Sequence, residues 1–271
     1  MCRWIAYRGE TIALERYVTA PAHSLVVQSH HSLEGNASVN GDGFGMGWYT
    51  PGIPEPGIYR EVRPAWSDDN LHNLARHIDS PMFFGHVRAS TGTPTTRPNC
   101  HPFSHGRWMF MHNGQLGDWS KIRRLVEGMI SDKYYGARIG TTDSEAMFLA
   151  MMSSGLDSDP IAATTRVVEL ITALVRQSGT DEPLRFTAAL ANGNDLYAFR
   201  YSFNGSANTL YYREVAGDVV IVSEPLDMER SMWTAVPPGT MIIARKGQPA
   251  VIEPFLPHEQ ATAEDKAIAA E

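Results

Sequence analysis

Once the initiator Met1 is removed, the first residue of this chain is Cys2, which then carries a thiol and a free α-amine together. The ordinary pKa values of these groups are about 8.5 and about 7.7–8.0. The amine can therefore act as base for the thiol of its own residue, as an N-terminal amine does for threonine. Cys2 is thus a candidate nucleophile that needs no separate histidine. Such a nucleophile requires an anchor for substrate charge, donors for an oxyanion and a pocket poor in water. Arg88, at the end of an apolar stretch, suits a bidentate clamp on a carboxylate. Asn113 offers an amide N–H, and Gly114 lets a backbone N–H approach closely, so the pair suits a tetrahedral oxyanion. Asp143, in a helix-start pattern, suits a substrate ammonium while also favouring the helix dipole. Each residue type also has a plainer reading: a surface salt bridge for Arg88, an ordinary turn for Asn113-Gly114, a first-turn carboxylate for Asp143. A metal site built from Cys2, Cys100, His101, His105 and His112 is a rival reading, with poor ligand spacing and no Cys-x-x-Cys.

The elements that must position these residues follow from periodicity. Cys2 to Tyr7 alternates as a strand. Pro21 to Gln28 reads as a short helix. From Asn40 to Tyr49, glycines alternate with other residues in a strand-like pattern, as where a ligand or backbone approaches closely. Ser67 reads as an N-cap before Leu71, Leu74 and Ile78 on one helix face. Met82 to Val87 is a strand ending at Arg88, and Ala89 to Asn99 a polar loop. Arg107 to Met111 is a strand ending in His112-Asn113-Gly114, and a helix runs from Asp118 to about Ile130. Thr142-Asp143-Ser144-Glu145 has the capping-box form before a helix through Met152. A longer helix spans Ile161 to Arg176. Strands are expected over Phe186 to Leu190, Leu196 to Tyr201, Leu210 to Arg213, Val219 to Val222 and Met241 to Ala244. This order predicts one layered α+β domain over residues 2–258, with a loose tail over 259–271.

Composition narrows the function classes. The 271 residues include 30 acidic and 23 basic ones, a net charge of −7, with no run of Lys or Arg. Nucleic-acid and membrane-surface roles are therefore disfavoured. There is no signal-peptide pattern and no apolar run long enough to span a bilayer. Two cysteines form no disulfide framework, and a cytoplasmic location is expected.

The set of motifs resembles that of the class II glutamine amidotransferases of the N-terminal-nucleophile superfamily. It consists of Met1-Cys2-Arg3, Asn40-Gly41-Asp42-Gly43-Phe44-Gly45, His86-Val87-Arg88-Ala89-Ser90-Thr91, Asn99-Cys100-His101-Pro102-Phe103, His112-Asn113-Gly114 and Thr142-Asp143-Ser144-Glu145. Pro21-Ala22-His23-Ser24, Pro64-Ala65-Trp66 and the Asn99 to Phe103 stretch are most similar to a stand-alone branch. That branch holds YafJ-type bacterial proteins, a γ-glutamyl hydrolase of ergothioneine synthesis and a fungal subunit that degrades glutathione. The resemblance implies a four-layer αββα sandwich of two antiparallel sheets. It implies Cys2 as nucleophile with its amine as base, Asn113 and Gly114 as oxyanion hole, Arg88 with the Thr91 region on the α-carboxylate, and Asp143 on the α-ammonium. Where many synthases carry His after the Thr91 position, this chain has Gly92, which is given no role. The implied reaction is cleavage of the γ-glutamyl amide of glutamine or of a γ-glutamyl compound such as glutathione, without metal or cofactor. No acceptor domain is left over, so the amine diffuses away or passes to a separate acceptor or peptidase-like partner. The alternative is a non-catalytic or partner-dependent subunit, which a retained Met1 would favour by tying up the amine.

Overall fold

The alternation that starts at Trp4 runs further than expected: β1 spans Arg3–Ala13, and its side chains divide between two apolar environments. Trp4 and Ala6 pack with Met82, Met109 and Ile221, whereas Ile5 and Tyr7 pack with Leu25, Leu71 and Phe83. A strand buried on both faces belongs to the interior of a layered fold. The computed structural model describes residues 2–35, 37–90 and 92–257; Thr91 and the tail from 259 lie outside the described residues.

In chain order, α1 (Glu15–Val18), α2 (Leu25–His30), β2 (Phe44–Trp48), β3 (Gly57–Glu61), α3 (Asp69–His77) and β4 (Asp79–Val87) follow β1. Next come β5 (Phe103–His105), β6 (Trp108–Gln115), α4 (Trp119–Gly128), α5 (Asp132–Tyr135), α6 (Asp143–Ser153) and α7 (Pro160–Gln177). The remainder is β7 (Leu184–Ala191), β8 (Asp195–Phe203), β9 (Tyr211–Val215), β10 (Asp218–Val222), β11 (Thr234–Ala235), β12 (Thr240–Arg245) and β13 (Val251–Pro254).

These strands form two antiparallel sheets, a seven-stranded one in the order β11-β9-β10-β1-β4-β2-β3 and a six-stranded one in the order β13-β12-β8-β7-β6-β5. Helices α1–α3 cover the outer face of the first sheet and α4–α7 that of the second. The inner faces meet through Trp4, Phe84, Met109, Ala189 and Ala198. The result is the expected four-layer αββα sandwich. Small residues on β7 let the sheets come close, and the glycines of β2 have the same use. A Cβ at Gly45 would sit 2.1 Å from the His101 carbonyl oxygen, and one at Gly47 would sit 2.4 Å from the Met109 sulfur.

Several boundaries differ from the sequence reading. Asp68, not Ser67, caps α3, its Oδ1 accepting from Leu71 N–H at 2.9 Å, while Ser67 ends a preceding 3-10 turn. The helix expected from Pro21 starts at Leu25, where the Ser24 hydroxyl accepts from Val27 N–H. His112-Asn113-Gly114 lies inside β6, paired with β7 through Asn113–Thr187 and Gly114–Phe186, and is not a turn at the strand's end. The capping box at Thr142 is half formed. Thr142 Oγ1 accepts from Glu145 N–H, but the Glu145 carboxylate turns to Arg138 and to the backbone N–H groups of Ile139 and Gly140.

Candidate active site

Cys2 sits just before β1, and the register Arg3–Val87 places it beside Arg88 at the end of β4. It is half-buried, with Sγ 3.7 Å from the Ala89 carbonyl oxygen. Burial pushes the thiol pKa up, against a backbone hydrogen bond at Ala89 and the positive charges of Arg88 and Arg3. A base is therefore needed to release the thiolate.

Arg88 is buried, yet all its partners are neutral. Nη1 donates to the Asp42 carbonyl at 3.3 Å, and Nη2 donates to Ser90 Oγ at 3.1 Å and Thr93 Oγ1 at 2.6 Å. No carboxylate lies within ion-pair distance of it among the described residues. A buried charge is normally paired, so an anion placed here would find a guanidinium with no carboxylate partner to displace. Its backbone is fixed too, with Arg88 N–H donating to the Gly43 carbonyl and Asp42 N–H to the Arg88 carbonyl. Ser90 and Thr93 were not singled out in the sequence; their only signal there is a hydroxyl-rich loop after Arg88.

Asn113 is 1% exposed, and both its side-chain Nδ2 and Oδ1 are buried without a hydrogen-bond partner. An unpaired buried amide costs about 1–3 kcal/mol, and no protein group among the described residues occupies this N–H, which leaves it available to a bound group. Its carbonyl oxygen is held by Asn208 Nδ2 at 2.8 Å. Next to it, Gly114 admits no side chain: a Cβ there would lie 1.9 Å from the Arg185 carbonyl oxygen and 2.3 Å from His112 Nε2. Those two atoms are hydrogen-bonded to each other at 2.9 Å.

Asp143 opens α6. Its Oδ2 accepts from Leu116 N–H at 3.1 Å and its Oδ1 from Ser144 N–H at 2.7 Å. His112 braces this corner through Nδ1, 2.9 Å from Ser144 Oγ. The Arg185 carbonyl can only accept, so Nε2 carries the proton. Burial keeps the ring's pKa low, and the Ser144 hydroxyl, which also lies 3.1 Å from Asp143 Oδ1, has one proton to give to either neighbour. Gly114, Asp143 and the Arg88 partner Thr93 share the wall of a cavity of about 390 Å³, with Leu116, Trp119 and Glu182. Cys2 and Asn113 lie off that wall. His86 links the two halves, its Nε2 3.4 Å from the His112 carbonyl oxygen and its ring stacked on His101 with centroids 4.2 Å apart.

The rival metal ligands do not converge. His112 is committed to Ser144 and Arg185, and Cys100 Sγ donates to backbone carbonyls. His105 packs on Tyr134. Among the described residues no group of three or more metal-type ligands forms.

Burial holds the His86 pKa down to about 3. The unfolded chain binds a proton there below about 6.5 and the folded chain does not, so this stability is present above that pH and lost as pH falls. Between pH 7 and pH 5 the loss expected from His86 is about 2 kcal/mol. Urea unfolding at both pH values should show a pH dependence smaller by that amount in His86→Leu.

A family model described as class-II glutamine amidotransferases matches residues 18–214. The chain belongs to that family. It is 30% identical over 303 residues to the probable glutamine amidotransferase DUG3 of Saccharomyces cerevisiae, covering 94% of this chain and 85% of that one. It is 27% identical to the gamma-glutamyl-hercynylcysteine sulfoxide hydrolase of Mycobacterium tuberculosis, covering 91% of this chain and 94% of the other. Among solved structures, a glutamine aminotransferase class-II domain protein from Silicibacter pomeroyi superposes with a TM-score of 0.74 at 37% identity, over 94% of this chain and all of that one. Glutamine phosphoribosylpyrophosphate amidotransferase from Bacillus subtilis shares the fold, at 15% identity with a TM-score of 0.64, over 94% of this chain and 49% of that one.

Proposed function

We propose that the chain hydrolyses γ-glutamyl amide bonds, of glutamine or of a γ-glutamyl compound such as glutathione, through a thioester on Cys2 after Met1 is removed. The observation that carries this reading is the buried, unpartnered amide of Asn113 beside Gly114. The Cys2 α-amine takes the thiol proton, and the sulfur attacks the γ-carbonyl carbon. The oxyanion is held by Asn113 Nδ2–H and the Gly114 N–H. On collapse, the leaving amine takes the proton from the Cys2 ammonium and departs. Water, deprotonated by the Cys2 α-amine, then attacks the thioester; the C–S bond breaks, glutamate leaves and the Cys2 ammonium returns its proton to the thiolate. Arg88, with the Thr91 region beside it, takes the substrate α-carboxylate, and Asp143 takes the α-ammonium. The substrate's charged end thereby fixes its carbonyl against the sulfur.

The relatives' printed names support the γ-glutamyl part of this reading. The chain alone suffices for the thioester chemistry, and any separate acceptor or peptidase-like partner would act on the released amine. The Cys2 thiol has to stay reduced to react, which a cytoplasmic setting would provide. No helix of the described residues is long and apolar enough to cross a membrane.

The test is glutamate release by the purified, Met1-processed chain, comparing glutamine with glutathione; no release from either, nor from other γ-glutamyl amides, would overturn the reading. Arg88→Lys keeps the charge but loses the planar fork. Its KM should rise about 10–100-fold, the worth of one charge-assisted hydrogen bond, with kcat little changed. A KM equal to wild type would remove Arg88 from substrate binding.

A further inference from the structure

The reaction above leaves one buried charged cluster without a role. Glu224, just after β10, is 1% exposed. Its Oε2 accepts from Arg3 Nε at 2.7 Å and from Glu34 N–H at 3.0 Å. Its Oε1 accepts from Leu33 N–H at 2.8 Å and lies 2.5 Å from His23 Nε2. Arg3 is also 1% exposed, and its Nη1 donates to the carbonyl oxygen of Cys2 at 2.9 Å. One carboxylate therefore grips the residue that grips the nucleophile.

The same carboxylate holds the start of the segment that leads to the Arg88 clamp. Leu33 and Glu34 are followed by Asn40, whose N–H donates to the Ser29 carbonyl. Asp42 comes next. Its carbonyl accepts from Arg88 Nη1, and its Oδ2 accepts from Ser90 N–H at 2.7 Å. Gln28 anchors the base of this segment to the same corner, its Nε2 donating to the carbonyls of His23, Glu224 and Pro225.

We infer that Glu224 is a positioning residue that sets the nucleophile, through Arg3, and the α-carboxylate clamp, through the Leu33–Asp42 segment, in one register. The inference rests on the reading of Cys2 as nucleophile. Burial alone would raise the Glu224 pKa, but the donors from His23, Leu33 and Arg3 overcome this and hold it down to about 2. The carboxylate is therefore ionised across the working range of pH. A glutamine keeps one accepting oxygen and loses the charge, turning its NH₂ toward either Arg3 Nε and Glu34 N–H or Leu33 N–H, which can only donate, so the corner is loosened.

Three variants separate positioning from bulk stability. Arg3→Lys keeps the ion pair with Glu224 but loses the fork that reaches the Cys2 carbonyl. Its kcat for glutamate release should fall about tenfold with KM within threefold of wild type. Glu224→Gln should lower kcat and raise KM, each by about tenfold. Arg3→Met with Glu224→Leu removes the pair but also leaves the Leu33 and Glu34 N–H groups without their acceptor, so its melting temperature should fall along with kcat. Arg3→Lys keeps that acceptor, so its melting temperature should stay near wild type while kcat is tenfold down.

Iodoacetamide alkylation, mapped to Cys2 by peptide mass, gives a readout that needs no substrate. Cys100 is fully buried and its thiol is pushed up to about 11, so it reacts little. Alkylation of Cys2 should slow at least threefold in Arg3→Lys. If Arg3→Lys changes kcat and alkylation by less than threefold, the inference is overturned, whether or not the other two variants fold. If wild type releases no glutamate but alkylation still slows in Arg3→Lys, the positioning stands and the hydrolase reading fails.

Discussion

Cys2→Ala is expected to lower glutamate release by about 10⁴-fold or more, the scale seen when a covalent nucleophile is removed. Among the described residues the other thiol does not replace it. Cys100 is buried, its thiol is pushed up to about 11, and it is hydrogen-bonded to backbone carbonyls, so it is a poor nucleophile. The loss should fall on kcat, because the proposed substrate holders, Arg88 and Asp143, are untouched. Intact mass before and after a glutamine-like electrophile checks the same point independently of turnover. Wild type should show a mass without Met1 and gain a single adduct, and Cys2→Ala should gain none. A retained Met1 with no adduct would instead favour the partner-dependent subunit, since the amine base would be missing.

Asn113→Ala is expected to cost about 10²–10³ in kcat, the usual effect of losing one oxyanion donor, with a modest change in KM. The same variant should not lose stability. The Asn113 amide is buried with neither polar atom paired, so alanine removes a desolvation cost as well as some packing. The backbone contact that Asn208 makes to the Asn113 carbonyl is untouched. A melting temperature at or above wild type, together with a hundredfold slower enzyme, would be the signature of a donor held for the transition state. Near-wild-type turnover would take Asn113 out of the mechanism. A large drop in melting temperature would mean that its side chain is structural after all.

The candidate site residues were legible because their types are unusual where they stand. A thiol next to the initiator Met, an Arg ending an apolar strand and an Asp opening a helix are all local patterns. Asn113-Gly114 was legible as a pair but not in its setting. Asn-Gly favours turns, and only the pairing with β7, more than 70 residues later, holds it in extended form. Ser67 lost the cap of α3 to Asp68 because two adjacent residues both cap well, and the 3-10 turn before them decides between the two. What stayed hidden depends on contacts distant in sequence. Glu224 is 221 residues from Arg3, and the one hint of it is a carboxylate two residues after the apolar run Val219–Val222. The chain from His112 through Ser144 to Asp143 closes only when β6 meets α6. Thr91, assigned by resemblance, lies outside the described residues.

The place of β1 has a consequence for biosynthesis. It is the first strand made, yet it pairs with β10 through Ile5–Val222 and with β4 through Trp4–His86. Its slot in the sheet therefore stays open until the ribosome has passed residue 222. At about 5–20 residues per second, that interval is roughly 10–40 s. Over that interval β1 can have β4 along one edge but has no partner along the other, so the first sheet is completed only when β10 is made. On the proposed reading Met1 removal frees the Cys2 amine, and the late arrival of β10 leaves that step a long time in which to precede closure.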